Sequence, residues 1–323
     1  MKVLITGAGG FIGSHLTEKC VEMGWDVRAF THYNSMGNWG WLENSSVKDD
    51  VEIVVGDVRD YDSIYEATKG IDLVFHLAAL IGIPYSYISP QAYIRTNIEG
   101  TYNVIQSARL LGVENILTTS TSETYGSAQF VPINELHPAV GQSPYAATKI
   151  GADQIALSFH KSFNLPLTVV RPFNTYGPRQ SARAIIPTIL EKIVAGHSRI
   201  ELGNLDTTRD LTFVKDTVAG FVTIATTSGF NGQAVNIGSG LEISIGKLAS
   251  LIGEVCGVDL EVVTEKKRLR PEKSEVERLI CDSSKLRNSS NWQPEYDLRR
   301  GIKETFEWLK VNLDKYKVNK YSI

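Results

Sequence analysis

Lys2-Val3-Leu4-Ile5-Thr6-Gly7-Ala8-Gly9-Gly10-Phe11-Ile12-Gly13 is the stretch whose reading decides the fold. Its first five residues form an apolar run of strand length, and a helical pattern follows the glycines through Gly24. Gly7, Gly10 and Gly13 therefore stand three apart between a strand and a helix. That context turns a weak glycine pattern into a dinucleotide site. The glycines permit a tight turn and close backbone approach, and the helix N-terminus receives a pyrophosphate. The spacing is G-x-x-G-x-x-G rather than G-x-G-x-x-G, and the predicted cofactor contacts are Gly7, Gly10, Phe11, Ile12 and Gly13.

Outward from this turn, short apolar runs recur at 26–31, 51–55, 72–77, 113–117 and 167–170. Amphipathic stretches lie at 61–69, 96–111 and 145–160. Such alternation predicts an α/β fold, a Rossmann doubly wound parallel sheet with helices on both faces. The second half reads differently, with helices expected over 185–195, 216–226 and 245–256 and short strands over 234–237 and 260–263. We expect a dinucleotide-binding domain over residues 1–175 and a smaller α/β substrate domain over 176–323, parts of which return to the first. The polar tail after Asp314 is expected to fray.

The second run ends Thr31-His32-Tyr33-Asn34. An acidic residue there would hold the ribose of NAD, and an arginine would take the 2′-phosphate of NADP. Neither is present, and the missing arginine favours NAD, with NADP as the alternative. Thr31 is a predicted contact, as are Asp57 and Val58 after the third run. Leu77, Ala78 and Ala79 close the fourth run, and the small pair lets the cofactor pass over it.

Two further stretches carry chemistry. Ser120-Thr121-Ser122-Glu123-Thr124-Tyr125-Gly126 follows a strand, and Tyr145-Ala146-Ala147-Thr148-Lys149 opens a helix. Tyr145 and Lys149, four apart, share one helix face. An ammonium beside a phenol favours the phenolate, so Tyr145 is expected to act as a base near neutral pH.

Thr6 to Leu16, His76-Leu77-Ala78-Ala79, the Tyr145/Lys149 pair and Arg171-Pro172-Phe173-Asn174 together resemble the extended short-chain dehydrogenase/reductase family over almost the whole chain. Within it, Thr121-Ser122-Glu123 is similar to the nucleotide-sugar 4,6-dehydratases. Stretches 83–87, 141–145 and 174–183 resemble the GDP-N-acetylglucosamine 4,6-dehydratase branch of the legionaminic acid pathway. The segment 270–276 departs from the related R-P-x-E-V pattern by two extra residues, which weakens the inference to guanine and leaves UDP-N-acetylglucosamine open.

The resemblance implies C4 oxidation, loss of water across C5 and C6, and hydride return to C6. Tyr145 would be the base on the C4 hydroxyl, Thr121 its hydrogen-bond partner and Glu123 the base for the C5 proton. Ser122, a catalytic candidate, stands where glucose-type enzymes carry an aspartic acid; a hydroxyl is a poor acid, and both Ser122 and Glu123 stay candidates for protonating the leaving hydroxyl. Predicted substrate contacts are Tyr85, Asn174 and the arginines Arg179, Arg209 and Arg270, with Arg183 a weaker candidate and Arg268 a solvated one. The family's pairing through helices 96–111 and 145–160 implies a homodimer or dimer of dimers.

Composition excludes other classes. A net charge of −3 gives no footprint for nucleic acid or an anionic membrane. Three dispersed cysteines have no metal-ligand spacing, no apolar run is long enough to span a bilayer, and a strand from residue 2 leaves no signal peptide, so a cytoplasmic protein is expected. Two other readings stay in play: a nucleotide-sugar 4-epimerase, which needs no C5 base, and a non-catalytic dinucleotide-sensing module.

Overall fold

A computed structural model describes residues 1–265 and 271–316 of the chain. Seven parallel strands form the main sheet: β1 (Lys2–Thr6), β2 (Asp26–His32), β3 (Glu52–Gly56), β4 (Leu73–His76), β5 (Asn115–Thr119), β6 (Leu167–Pro172) and, far along the chain, β10 (Ala234–Ile237). Their order is β3-β2-β1-β4-β5-β6-β10. The chain reverses direction between β1 and β4, where sheets of this kind open their ligand crevice.

Alternation along the strands divides the core. Leu4, Val74, Ile116 and Leu167 face one layer with α2 (Tyr61–Thr68), α5 (Gly100–Leu111) and α6 (Pro144–Phe163). Two short helices, α3 (Ile83–Ile88) and α4 (Pro90–Tyr93), and one π-turn over 94–99 lead into α5. Val3, Ile5, Phe75 and Leu117 face the other way, against α1 (Phe11–Glu22) and α8 (Val214–Thr226). Fully buried side chains of this kind each contribute about 1.5–3 kcal/mol.

Beside the sheet lie β7 (Asn174–Tyr176), β8 (Arg199–Leu202), β9 (Thr208–Phe213), β11 (Glu242–Ser244) and β12 (Glu261–Thr264). They pair as a three-stranded β11-β9-β7 sheet and a β12-β8 ribbon, packed by α7 (Ile185–Val194), α9 (Ile245–Cys256) and α11 (Leu298–Lys310), while α10 (Ser284–Ser289) lies against β10. Residues after 176 thus supply both a main-sheet strand and a helix against it.

One strand shifts from its expected place. Gly112 caps α5 in the left-handed region (φ 70°), and Val113 N–H is spent on Ala108 O, so β5 starts at Asn115 and runs on through Thr119. The fray expected after Asp314 does not begin there: Lys315 closes a 3₁₀ turn and Tyr316 Oη donates to Gln180 O at 2.8 Å, while residues 317–323 lie outside those described. No helix among the described residues is long and apolar enough to cross a membrane.

Candidate active site

Local capping places the reactive side chains. Thr121 ends the extended segment after β5, and its hydroxyl accepts the Glu123 N–H at 3.2 Å, starting a 3₁₀ turn over Ser122–Tyr125. Thr124 Oγ1 donates to Thr121 O at 2.7 Å and locks that turn. Ser143 Oγ accepts from Ala146 N–H at 3.1 Å, and Pro144 sits in the first turn of α6, so Tyr145 is fixed at the helix start. Thr121, Ser122, Glu123, Tyr145 and Lys149 all line one cleft of about 1180 Å³.

The electrostatics correct one expectation. Lys149 Nζ donates to Thr119 O at 2.6 Å, and among the described residues no hydrogen bond joins it to the Tyr145 phenol. Burial pushes the Tyr145 phenol well above its ordinary value, the Thr121 hydrogen bond pulls it down, and the Glu123 charge pushes it up. Burial lowers the Lys149 ammonium, opposed by Asp153 one turn along α6. Arg171 Nη2 reaches the same Asp153 carboxylate at 3.0 Å and Ser120 Oγ donates to it at 2.8 Å, with both ionic side chains under 10% exposed. This buried cluster is the floor under Thr119 and Lys149. Beside it, His76 is pushed down to about 3 by burial and then by the Lys149 charge. Its ring nitrogens face Thr6 Oγ1 at 2.8 Å and Thr101 Oγ1 at 3.0 Å.

The other half of the cleft is the glycine turn. Gly7 has φ +73°, and a Cβ there would stand 2.8 Å from Ala78 N; one on Gly13 would stand 2.1 Å from Gly7 O. Gly10 offers no side chain to cap α1, whose first turn carries no acidic residue, so its end N–H groups are open to an anion. Phe11, Ile12, Thr31, Asp57, Val58, Leu77, Ala78 and Ala79 line the cleft as well. These residues fit a dinucleotide. The Asp57 carboxylate is gripped by the Arg59 guanidinium, which holds it below the usual carboxylate range. Gly9, outside the predicted spacing, touches the chain after β2: its Cβ would lie 2.2 Å from Trp39 O, and Trp41 N–H donates to Gly9 O at 2.9 Å. Sequence reasoning missed that strap, since Trp39 and Trp41 show no periodic signal.

The substrate predictions divide. Asn174 and Arg209 line the cleft, Asn174 Nδ2 being buried with no partner among the described residues and Arg209 Nη2 standing 3.4 Å from Glu275. Arg179 does not line it. Held in the left-handed region (φ 71°), it pairs with Glu18 on α1 at 2.8 Å, a carboxylate too remote in sequence to anticipate. Tyr85 does not line it either; it packs on Tyr93 with ring centres 6.2 Å apart. Arg268 and Arg270 lie outside the described residues. Arg183, the weaker candidate, does face the cleft.

Comparison with known proteins returns consistent relatives. A family profile for GDP-mannose 4,6 dehydratase matches residues 4–305. A dTDP-glucose 4,6-dehydratase of an Actinoplanes species is 30% identical over 322 residues, 97% of this chain and 98% of its own. A UDP-glucose 4-epimerase of Mycolicibacterium smegmatis is 31% identical over 315 residues, 96% of this chain and 99% of its own. Among solved structures, a Streptomyces venezuelae dTDP-glucose 4,6-dehydratase with NAD bound superposes with a TM-score of 0.88 at 26% identity, covering 99% of this chain and all of that one.

Proposed function

The chain belongs to the GDP-mannose 4,6 dehydratase family of nucleotide-sugar enzymes, and from that premise we propose that it is an NAD-dependent 4,6-dehydratase of GDP- or UDP-N-acetylglucosamine. One observation carries the dehydratase over the epimerase: Glu123 is held by the Thr121 cap in the same cleft as Tyr145, close enough for its charge to act on that phenol. A 4-epimerase needs no carboxylate there. The intact Thr121, Tyr145 and Lys149 set speaks against a sensing module.

Bound along the glycine turn, NAD would accept the C4 hydride and return it at C6, so the reaction has no net redox. The chain's own residues do the rest. Thr121 orients the C4 hydroxyl and Tyr145 takes its proton, while Lys149, anchored on Thr119 O, supplies positive charge beneath the site. Once C4 is a ketone the C5 proton is acidic, and Glu123 removes it. The C6 hydroxyl leaves as water by taking a proton, which Glu123 carries once it has taken the C5 proton, whereas Ser122 is a buried hydroxyl and a poor acid. The two carboxylate tasks thus fall in sequence on one residue, and hydride return to C6 is completed when C5 takes up a proton from solvent by way of Glu123, the Tyr145 proton passing back to solvent.

The test is incubation of purified protein with each N-acetylglucosamine nucleotide, followed by mass spectrometry. Loss of one water with NAD unconsumed supports the proposal. An isomer of unchanged mass with the C4 configuration inverted would make the enzyme an epimerase.

A further inference from the structure

We propose that Arg183 is the residue that selects a 2-acetamido sugar, its guanidinium donating to the acetamido carbonyl oxygen. The inference rests on the nucleotide-sugar reading and deepens it. Arg183 enters the cleft from the segment between β7 and α7 and lies against the loop after β4. A Cβ on Gly82 would meet its Nη1 at 2.6 Å, so the absence of a side chain there makes room for the guanidinium. Gly82 O in turn accepts from Tyr93 Oη at 2.5 Å, and the Tyr93 ring stands edge-on to Tyr145 with centres 6.3 Å apart. The guanidinium therefore belongs to the wall that carries the catalytic tyrosine, and its charge pulls the Tyr93 phenol down against the effect of burial. Arg209, with Glu275, lines the cleft among Leu202, Asn204 and Thr207 and is the diphosphate ligand by this division.

The chemistry around Arg183 narrows the ligand. Nε donates to Ser181 Oγ at 3.2 Å, and among the described residues no carboxylate stands within ion-pair distance. The planar fork thus keeps donors for an oxygen of the substrate. Of its chain neighbours and those of Gly82 that line the cleft, Ser181 is polar and is taken up by the Nε bond, and Ile81, Ile83, Pro84, Ala184 and Ile185 are apolar. A carbonyl acceptor attached to a methyl group satisfies both halves, hydrogen bond and apolar contact. A carboxylate sugar would use the fork and leave the apolar surface uncovered.

Calorimetry with and without Arg183→Met, both in a Tyr145→Phe background that halts the first oxidation and with NAD present, tests this using GDP, UDP and their glucose, glucuronate and N-acetylglucosamine derivatives, wild type here meaning wild type at position 183. Expected is a wild-type preference of roughly 10–100-fold for N-acetylglucosamine over glucose on the better nucleotide, the range for a hydrogen bond to a charged group. Arg183→Met should erase that preference and leave binding of the bare diphosphate unchanged. Equal weakening of the bare diphosphate would make Arg183 a phosphate ligand and overturn the inference. A wild type without the preference, or a preference that survives in Arg183→Met, would overturn it too. Tighter wild-type binding of a nucleotide uronate, lost in the variant, would replace the acetamido by a carboxylate. None of these results bears on water loss, so the dehydratase reading stands or falls separately.

Discussion

Asp153→Asn should destabilise the protein more than any exposed charge change. The substitution keeps the shape and the Ser120 contact but removes the one anion between two buried cations, Arg171 and Lys149, which are 6% and 4% exposed. Leaving a buried charge without its partner costs about 3–5 kcal/mol. For a chain of this length about 2 °C of melting temperature accompanies each kcal/mol, giving a fall of about 6–10 °C. Asp153 also opposes the burial that lowers the Lys149 ammonium, so its loss lets that group titrate at lower pH. The alkaline limit of activity should therefore move down in pH while the acidic limb stays. Differential scanning calorimetry reads the first effect, and pH profiles of turnover read the second. A double-mutant cycle with Arg171→Met isolates the pair. Wild-type melting in Asp153→Asn, or strictly additive effects in the cycle, would refute the reasoning.

Further expectations concern the glycine turn and acid stability. Gly9→Ala drives a Cβ to 2.2 Å from Trp39 O, a backbone atom that cannot swing away, so about 1–3 kcal/mol of strain should appear and fluorescence titration should show weaker NAD binding; Gly246→Ala, whose nearest atoms are 3.6 Å away, should leave both unchanged. His76, pushed down to about 3 from 6.5, is neutral in the fold while the unfolded chain takes up a proton below pH 6.5. Stability should therefore fall as pH drops from about 6.5 towards 3, by up to about 1.4 kcal/mol per pH unit from this group. Urea midpoints measured across that window should decline less steeply in His76→Asn.

Local signals carried much of the fold and part of the cleft. Glycines between an apolar run and a helix state their purpose within a dozen residues, and Ser143-Pro144 announces the helix that holds Tyr145. What depended on distant partners was not legible. Arg179 and Arg183 are alike in sequence, yet Glu18 draws the first away and Gly82 makes room for the second. β9 escapes the expected strands because Arg209 and Asp210 interrupt any apolar run in Thr208–Phe213. Asp210 is in fact a fully buried knot accepting Ser239, Gly240 and Cys281 N–H groups. Spacing put Lys149 within reach of Tyr145 but could not foresee that Thr119 O would claim its ammonium.

The central claim is that Glu123 removes the C5 proton after Tyr145 has taken the proton from the C4 hydroxyl, and rapid mixing of Glu123→Gln with an N-acetylglucosamine nucleotide in deuterated water tests it most directly. The account predicts that reduced nicotinamide absorbance appears and persists, that no deuterium enters C5, and that dehydrated product forms about 10²–10⁴-fold more slowly than in wild type. Tyr145→Phe under the same conditions should give no such absorbance. Normal turnover of Glu123→Gln with deuterium at C5 would contradict the account and put the epimerase reading first.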